Sequence, residues 1–182
     1  MQRWVNGLLA IMSILLGSPP VYSLTTVLSQ ENESIAIDWP DAEGWIVGHQ
    51  QDVGDTAIVE TVRQPETVEN WTEIGTTMIY RNKVGIALDR FNQIVFERTQ
   101  SLTQEATLES RAERLPGEHD SRIFVIRAKN YQDGTSETQV QLWVQGDQAL
   151  YNIQRTKRTA DLDQETVDRW VRFLMGARVV EK

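Results

Sequence analysis

The chain has 182 residues, a formal charge of −8, 40% hydrophobic and 24% charged residues, and no cysteine. The excess of acid disfavours nucleic acid and anionic membrane as partners, and the ordinary apolar fraction argues against wholesale disorder. Without cysteine there is no disulfide, no thiol nucleophile and no acylated N-terminal Cys, so stability rests on packing alone.

Residues 1–23 read as a secretory signal peptide. Arg3 supplies the positive charge, an apolar run extends from Trp4 to Leu16, Pro19-Pro20 breaks it, and Val21 and Ser23 stand before the expected cut. The run falls well short of the roughly 20 apolar residues that span a bilayer as a helix, so release is expected rather than retention as an anchor extending through Val27 and Leu28. The product is a soluble, acidic protein of the periplasm or the medium, with no stable membrane anchor. Residues 24–34 are expected to be a mobile lead-in and 35–182 a single globular α+β domain.

The first strand, Ile35 to Trp39, alternates apolar and polar or small residues, and Pro40 to Gly44 supply a turn. Strands follow at 45–51, 56–63 and 71–80. The period then changes: Val84, Leu88, Phe91 and Val95 repeat every three or four positions, predicting a helix capped by Asn82 and running to about Gln100. Further strands are expected at 106–113, 122–130, 137–144 and 149–157, separated by Pro116-Gly117, Asp133-Gly134 and Gly146-Asp147. The strand at 122–130 is apolar on both faces and so is expected to be central. The basic run Arg155, Lys157 and Arg158 is expected on a solvated strand edge. A closing helix starts near Asp161 or Asp163, carries Val167, Trp170, Val171 and Leu174 on one stripe, and stops at Gly176. Strand runs joined by hairpin signals imply an antiparallel sheet of seven or eight strands covered by two main helices.

Two resemblances add to this outline. Ile37-Asp38-Trp39-Pro40 with Gly44-Trp45 resembles the opening of PsbP-like and Mog1-like domains, which implies an antiparallel sheet covered by helices. Pro65 to Glu73, including Asn70-Trp71-Thr72-Glu73, together with the Trp170 to Val179 segment, is similar to a set of small exported bacterial proteins of unknown function. The chain departs from these in lacking a Cys after Ala177-Arg178-Val179.

Candidate chemistry is sparse. No Gly-x-Ser-x-Gly elbow occurs, and His49 and His119 are the only imidazole bases. No His or Cys cluster has zinc spacing, and Asp161-x-Asp163-x-Glu165 is explained by helix capping, so neither metal nor cofactor is expected. Charge distribution is more informative: between Leu24 and Tyr80 the only Lys or Arg is Arg63. An acidic surface in this segment, with Asp41, Glu43, Asp52 and Asp55 and the aromatics Trp45 and Trp71, is the candidate binding site; the competing reading packs these acids against the chain's own later bases. The expected function is a non-catalytic binding or accessory module of the cell envelope, whose partner is a protein or small ligand. The alternatives are a periplasmic hydrolase built from dispersed carboxylates and one His, and a structural envelope or interaction protein.

Overall fold

The computed structural model describes residues 11–13 and 23–181, so the expected signal peptide lies almost wholly outside the described residues. In chain order the strands are β1 (Ile11–Ser13), β2 (Ser23–Gln30), β3 (Glu33–Trp39), β4 (Trp45–Val53), β5 (Thr56–Arg63), β6 (Glu73–Arg81), β7 (Thr103–Ser110), β8 (Asp120–Tyr131), β9 (Glu137–Gln145), β10 (Ala149–Lys157) and β11 (Arg178–Glu181). Helix α1 (Leu88–Leu102) separates β6 from β7, and α2 (Gln164–Leu174) separates β10 from β11.

The fold is α+β, with a seven-stranded antiparallel sheet in the order β4-β5-β6-β10-β9-β8-β7. Two hairpin-linked meanders, β4 to β6 and β7 to β10, meet where β6 pairs with β10. A smaller antiparallel sheet, β1-β2-β3-β11, stands apart from it.

Strand alternation decides what each face of the large sheet packs against. On β10, Ala149, Tyr151, Ile153 and Arg155 look to one side, where Leu28, Ile35, Ile37 and Trp39 of the small sheet join Val167, Trp170, Val171 and Leu174 of α2 in the main core. The opposite face carries Leu150, with Trp143 and Phe124 of neighbouring strands, and receives Leu88, Phe91 and Val95 from α1. Asp163 caps α2 as expected, its carboxylate accepting from the Thr166 amide at 2.8 Å. Among the described residues no helix is long and apolar enough to cross a membrane.

Several expectations are corrected. The supposed mobile lead-in is a strand: β2 pairs with β3 from Leu24 to Gln30, Leu28 is fully buried, and the Thr26 hydroxyl accepts from the Trp39 indole at 2.9 Å. Its polar composition hid a face on which Thr26 and Leu28 alternate inward. Helix α1 starts at Leu88, because Asn82 and Gly85 adopt left-handed φ values of 59° and 71° that no helix accommodates. Val84 consequently lies exposed, off the apolar stripe. Strand β8 is second from the edge; it is buried on both sides because α1 covers one and the main core the other. Arg155 is on the middle strand and 2% exposed, contrary to the solvated edge.

Gly75 on β6 shows how tightly the layers meet. The Trp39 ring and the Thr61 hydroxyl occupy the space that a Cβ on Gly75 would need. Gly75→Ala should therefore cost about 1–3 kcal/mol or more in urea denaturation through overpacking. Gly54→Ala, in an open turn with φ of 57°, should cost only the left-handed backbone penalty of about 1–2 kcal/mol.

Candidate functional site

Two polar arrangements stand out on the core face of the large sheet, one at each end of β3. The first is a closed ion cluster. Arg155 donates through Nε to Glu73 Oε1 and through Nη2 to Glu43 Oε2, while Arg63 Nη2 donates to Glu43 Oε2 at 2.7 Å and to Glu73 Oε2 at 2.8 Å. The Trp45 indole donates to the same Glu43 oxygen at 3.2 Å. Aromatic rings close over the Arg155 guanidinium, with centroids 4.9 Å away for Trp170, 5.2 Å for Trp45 and 5.3 Å for Phe173. Two arginines and two glutamates cancel, and four hydrogen bonds link them, although the buried Arg63 Nε has no partner. Desolvation makes such a cluster costly to break but leaves it little to offer a ligand.

This cluster absorbs part of the acidic segment. Asp41 opens a short 3-10 turn, Asp41–Glu43, next to it; Glu43 and Trp45 are inside it. The other candidates lie elsewhere. Asp52, at the far end of β4, holds Arg81 in a two-pronged pair at 2.7 and 2.9 Å, and Asp55 accepts from the Asn82 amide at 3.2 Å. Trp71 lies under the Arg158 guanidinium, 4.4 Å from its ring centroid. The fold thus distributes the six candidates over three places, with Glu43 and Asp52 turned toward the chain's own arginines. Arg178 likewise holds Asp38, keeping that carboxyl below its ordinary range, with Thr25 helping; the pair is half exposed and steadies the strand edge only slightly. Its contribution is present at neutral pH and lost as strong acid protonates Asp38.

The second arrangement is open. A cleft of about 600 Å³ lies between the loop Leu115 to His119 and the segment from Met175 to Glu181. Leu115, Pro116, Met175 and Val179 give it apolar walls, with Glu118, His119, Arg178 and Glu181 as polar groups. The Leu115 amide donates to the buried Ser121 hydroxyl at 2.8 Å, which fixes the root of the loop. Beside His119 lies Glu33, 2% exposed, whose carboxylate accepts from the backbone amides of Asp147 at 2.6 Å and Gln148 at 3.3 Å. Gly146 is obligatory there, because the Glu33 carboxylate fills the place of any Cβ. One ligand atom each from Glu33, His119 and Asp147 lies within 4.8 Å of the other two. His49 is exposed on the edge strand β4 and takes no part.

A further concavity of about 520 Å³ is bordered by Lys129, Ser136, Arg158 and Asp161. Its Ser136 hydroxyl already accepts from the Asn130 amide at 3.1 Å, and Arg158 already covers Trp71.

Glu33 was not singled out from the sequence and Arg155 was assigned to a solvated edge, although alternation carried the signal for both. Glu33 shares parity with Ile35, Ile37 and Trp39, and Arg155 with Tyr151 and Ile153, so both side chains belong to inward faces. Asp147 was recognised as a turn residue, but its approach to His119 depends on tertiary packing. No protein-family model matches the sequence, and no curated protein matches it.

Removing Arg155 leaves two glutamates, the buried Glu73 among them, sharing the single arginine Arg63. Arg155→Met should cost about 3–5 kcal/mol by urea denaturation, and Arg155→Met combined with Glu73→Leu less than the sum of the single changes. Additive effects would mean that the two residues are not energetically coupled.

Proposed function

We propose that the protein is an exported, non-catalytic binding or accessory module of the cell envelope, and that its ligand occupies the cleft beside His119. The observation that carries this reading is the cleft's lining: apolar walls with a few converging polar groups are what small-ligand and peptide sites require. No Ser, Thr or Cys lines it, so it offers no hydroxyl or thiol nucleophile. The Arg155 cluster supports the same reading, since it buries Trp45 and commits the Glu43 carboxylate to the chain's own arginines.

Export rests on the leader and is compatible with the fold. Cleavage after Ser23 removes β1 but leaves β2 intact from Leu24, the residue paired with Trp39. A PsbP-like or Mog1-like relationship belongs to the same proposal; it is supported by the antiparallel sheet, the two covering helices and the Trp39-Pro40 turn at the end of β3.

Two measurements test these statements. When the chain is expressed with its leader, N-terminal sequencing of the released protein should begin at Leu24; an intact Met1 in the membrane fraction would contradict export by cleavage. Amide NMR shifts on adding envelope small-molecule extract should concentrate in residues 115–119 and 175–181 and disappear in Glu118→Trp, an exposed position of the lining, at unchanged Tm. Shifts confined to the Asp52 and Asp55 turn would move the site to the acidic segment.

A further inference from the structure

We propose that Glu33, His119 and Asp147 form a binding site for a divalent transition-metal ion such as Zn²⁺, placed at the edge of the cleft. The inference deepens the reading of that cleft as a ligand site and rests on it for what the metal would serve. Three observations carry it.

The donor set is mixed, one imidazole and two carboxylates, which suits Zn²⁺ and its neighbours better than Mg²⁺ or Ca²⁺, the all-oxygen ions. Its ligand atoms already lie within 4.8 Å of one another. Around a tetrahedral ion with bonds near 2.1 Å they would lie about 3.4 Å apart, so the group must contract by about 1.4 Å at most. The two that must move are those able to: His119 is on a loop and Asp147 in a turn at the surface, while Glu33 is fixed.

Glu33 is also held as an outer shell would hold a ligand. The Asp147 and Gln148 amides each use one lone pair of its two oxygens, leaving others free for an ion. The fully buried Tyr151 hydroxyl faces the same carboxylate without completing a hydrogen bond. A phenol hydroxyl in that place is a donor suited to orient a carboxylate that holds a metal. A buried donor aimed at a buried carboxylate has a purpose if that carboxylate must be oriented.

The neighbouring cleft gives the ion an exchangeable face. Because His119 also lines the cleft, an ion on its imidazole would keep a coordination position toward the space between Leu115 and Val179. That open position is where an anionic or carbonyl group of a cleft ligand would coordinate.

The test is isothermal titration of the chelator-treated full chain with ZnCl₂, and separately with MgCl₂. One saturable Zn²⁺ per chain is expected, with no comparable Mg²⁺ heat and a higher Tm in excess Zn²⁺. His119→Ala should weaken Zn²⁺ binding by at least the roughly 10–100-fold typical of losing an outer-shell partner, at an unchanged metal-free Tm, while His49→Ala should leave it intact. Because Glu33→Gln also disturbs the β9–β10 turn, His119→Ala is the deciding variant. Absence of saturable Zn²⁺ binding, equal affinity in His119→Ala, or loss in His49→Ala would overturn the site. Extract-induced shifts at residues 175–181 that persist in chelator-treated protein, with no Zn²⁺ binding, would sink the metal inference alone. Zn²⁺ binding with no ligand shifts would leave the metal site standing and sink the cleft reading.

Discussion

The buried carboxylate of Glu33 is the constraint on which the arrangement of the two sheets depends. A charge that is 2% exposed must be compensated, and here the compensation comes from the Asp147 and Gln148 amides of the turn between β9 and β10. The small sheet is thereby tied to the large one at a defined place. Hydrophobic contact alone would not supply that definition, because burial of Leu28, Ile35 and Ile37 is non-directional. Charge-assisted hydrogen bonds to two consecutive amides fix both position and register, and Gly146 leaves the space they require.

Strand β3 runs as a beam between this anchor and another of different character. At its far end Trp39 enters the notch left by Gly75, with Trp45 at 4.8 Å and Phe173 at 5.1 Å between ring centroids. Charges near that end are paired side chain to side chain and sealed by rings. At the Glu33 end the charge is backed by amides on one side and faces His119 and Asp147 on the other. The same strand therefore runs from an open polar site, to which it gives Glu33, to a closed one built by its neighbours. The closed site belongs to stability, while the open one borders the cleft completed by β11 and the loop before β8.

Much of this architecture was legible from periodicity. Strands β5, β6, β9 and β10 announced themselves by alternation and turn residues, and α2 by its stripe, its Asp163 cap and Gly176. Where reading failed, a longer-range interaction decided the outcome. Polar β2 is ordered because β3 offers it a ladder and the core takes Leu28; Asn82 heads no helix because the chain needs a left-handed turn against Asp55. The basic run of β10 contained one residue, Arg155, whose parity with Ile153 placed it inward, yet the acids that receive it come from β6 and the turn before β4. The candidate site was less legible still. Glu33, His119 and Asp147 are dispersed along the chain, so no local spacing marks them, and only the crossing of the two sheets brings them together.

Hydrogen exchange at the Asp147 and Gln148 amides tests the role of Glu33 most directly. The account requires both amides, although they lie in a surface turn, to exchange as slowly as ladder amides of β10 and to become fast in Glu33→Gln while the Trp39 indole N–H stays protected. Free-turn exchange rates at Asp147 and Gln148 in the unaltered protein would contradict it.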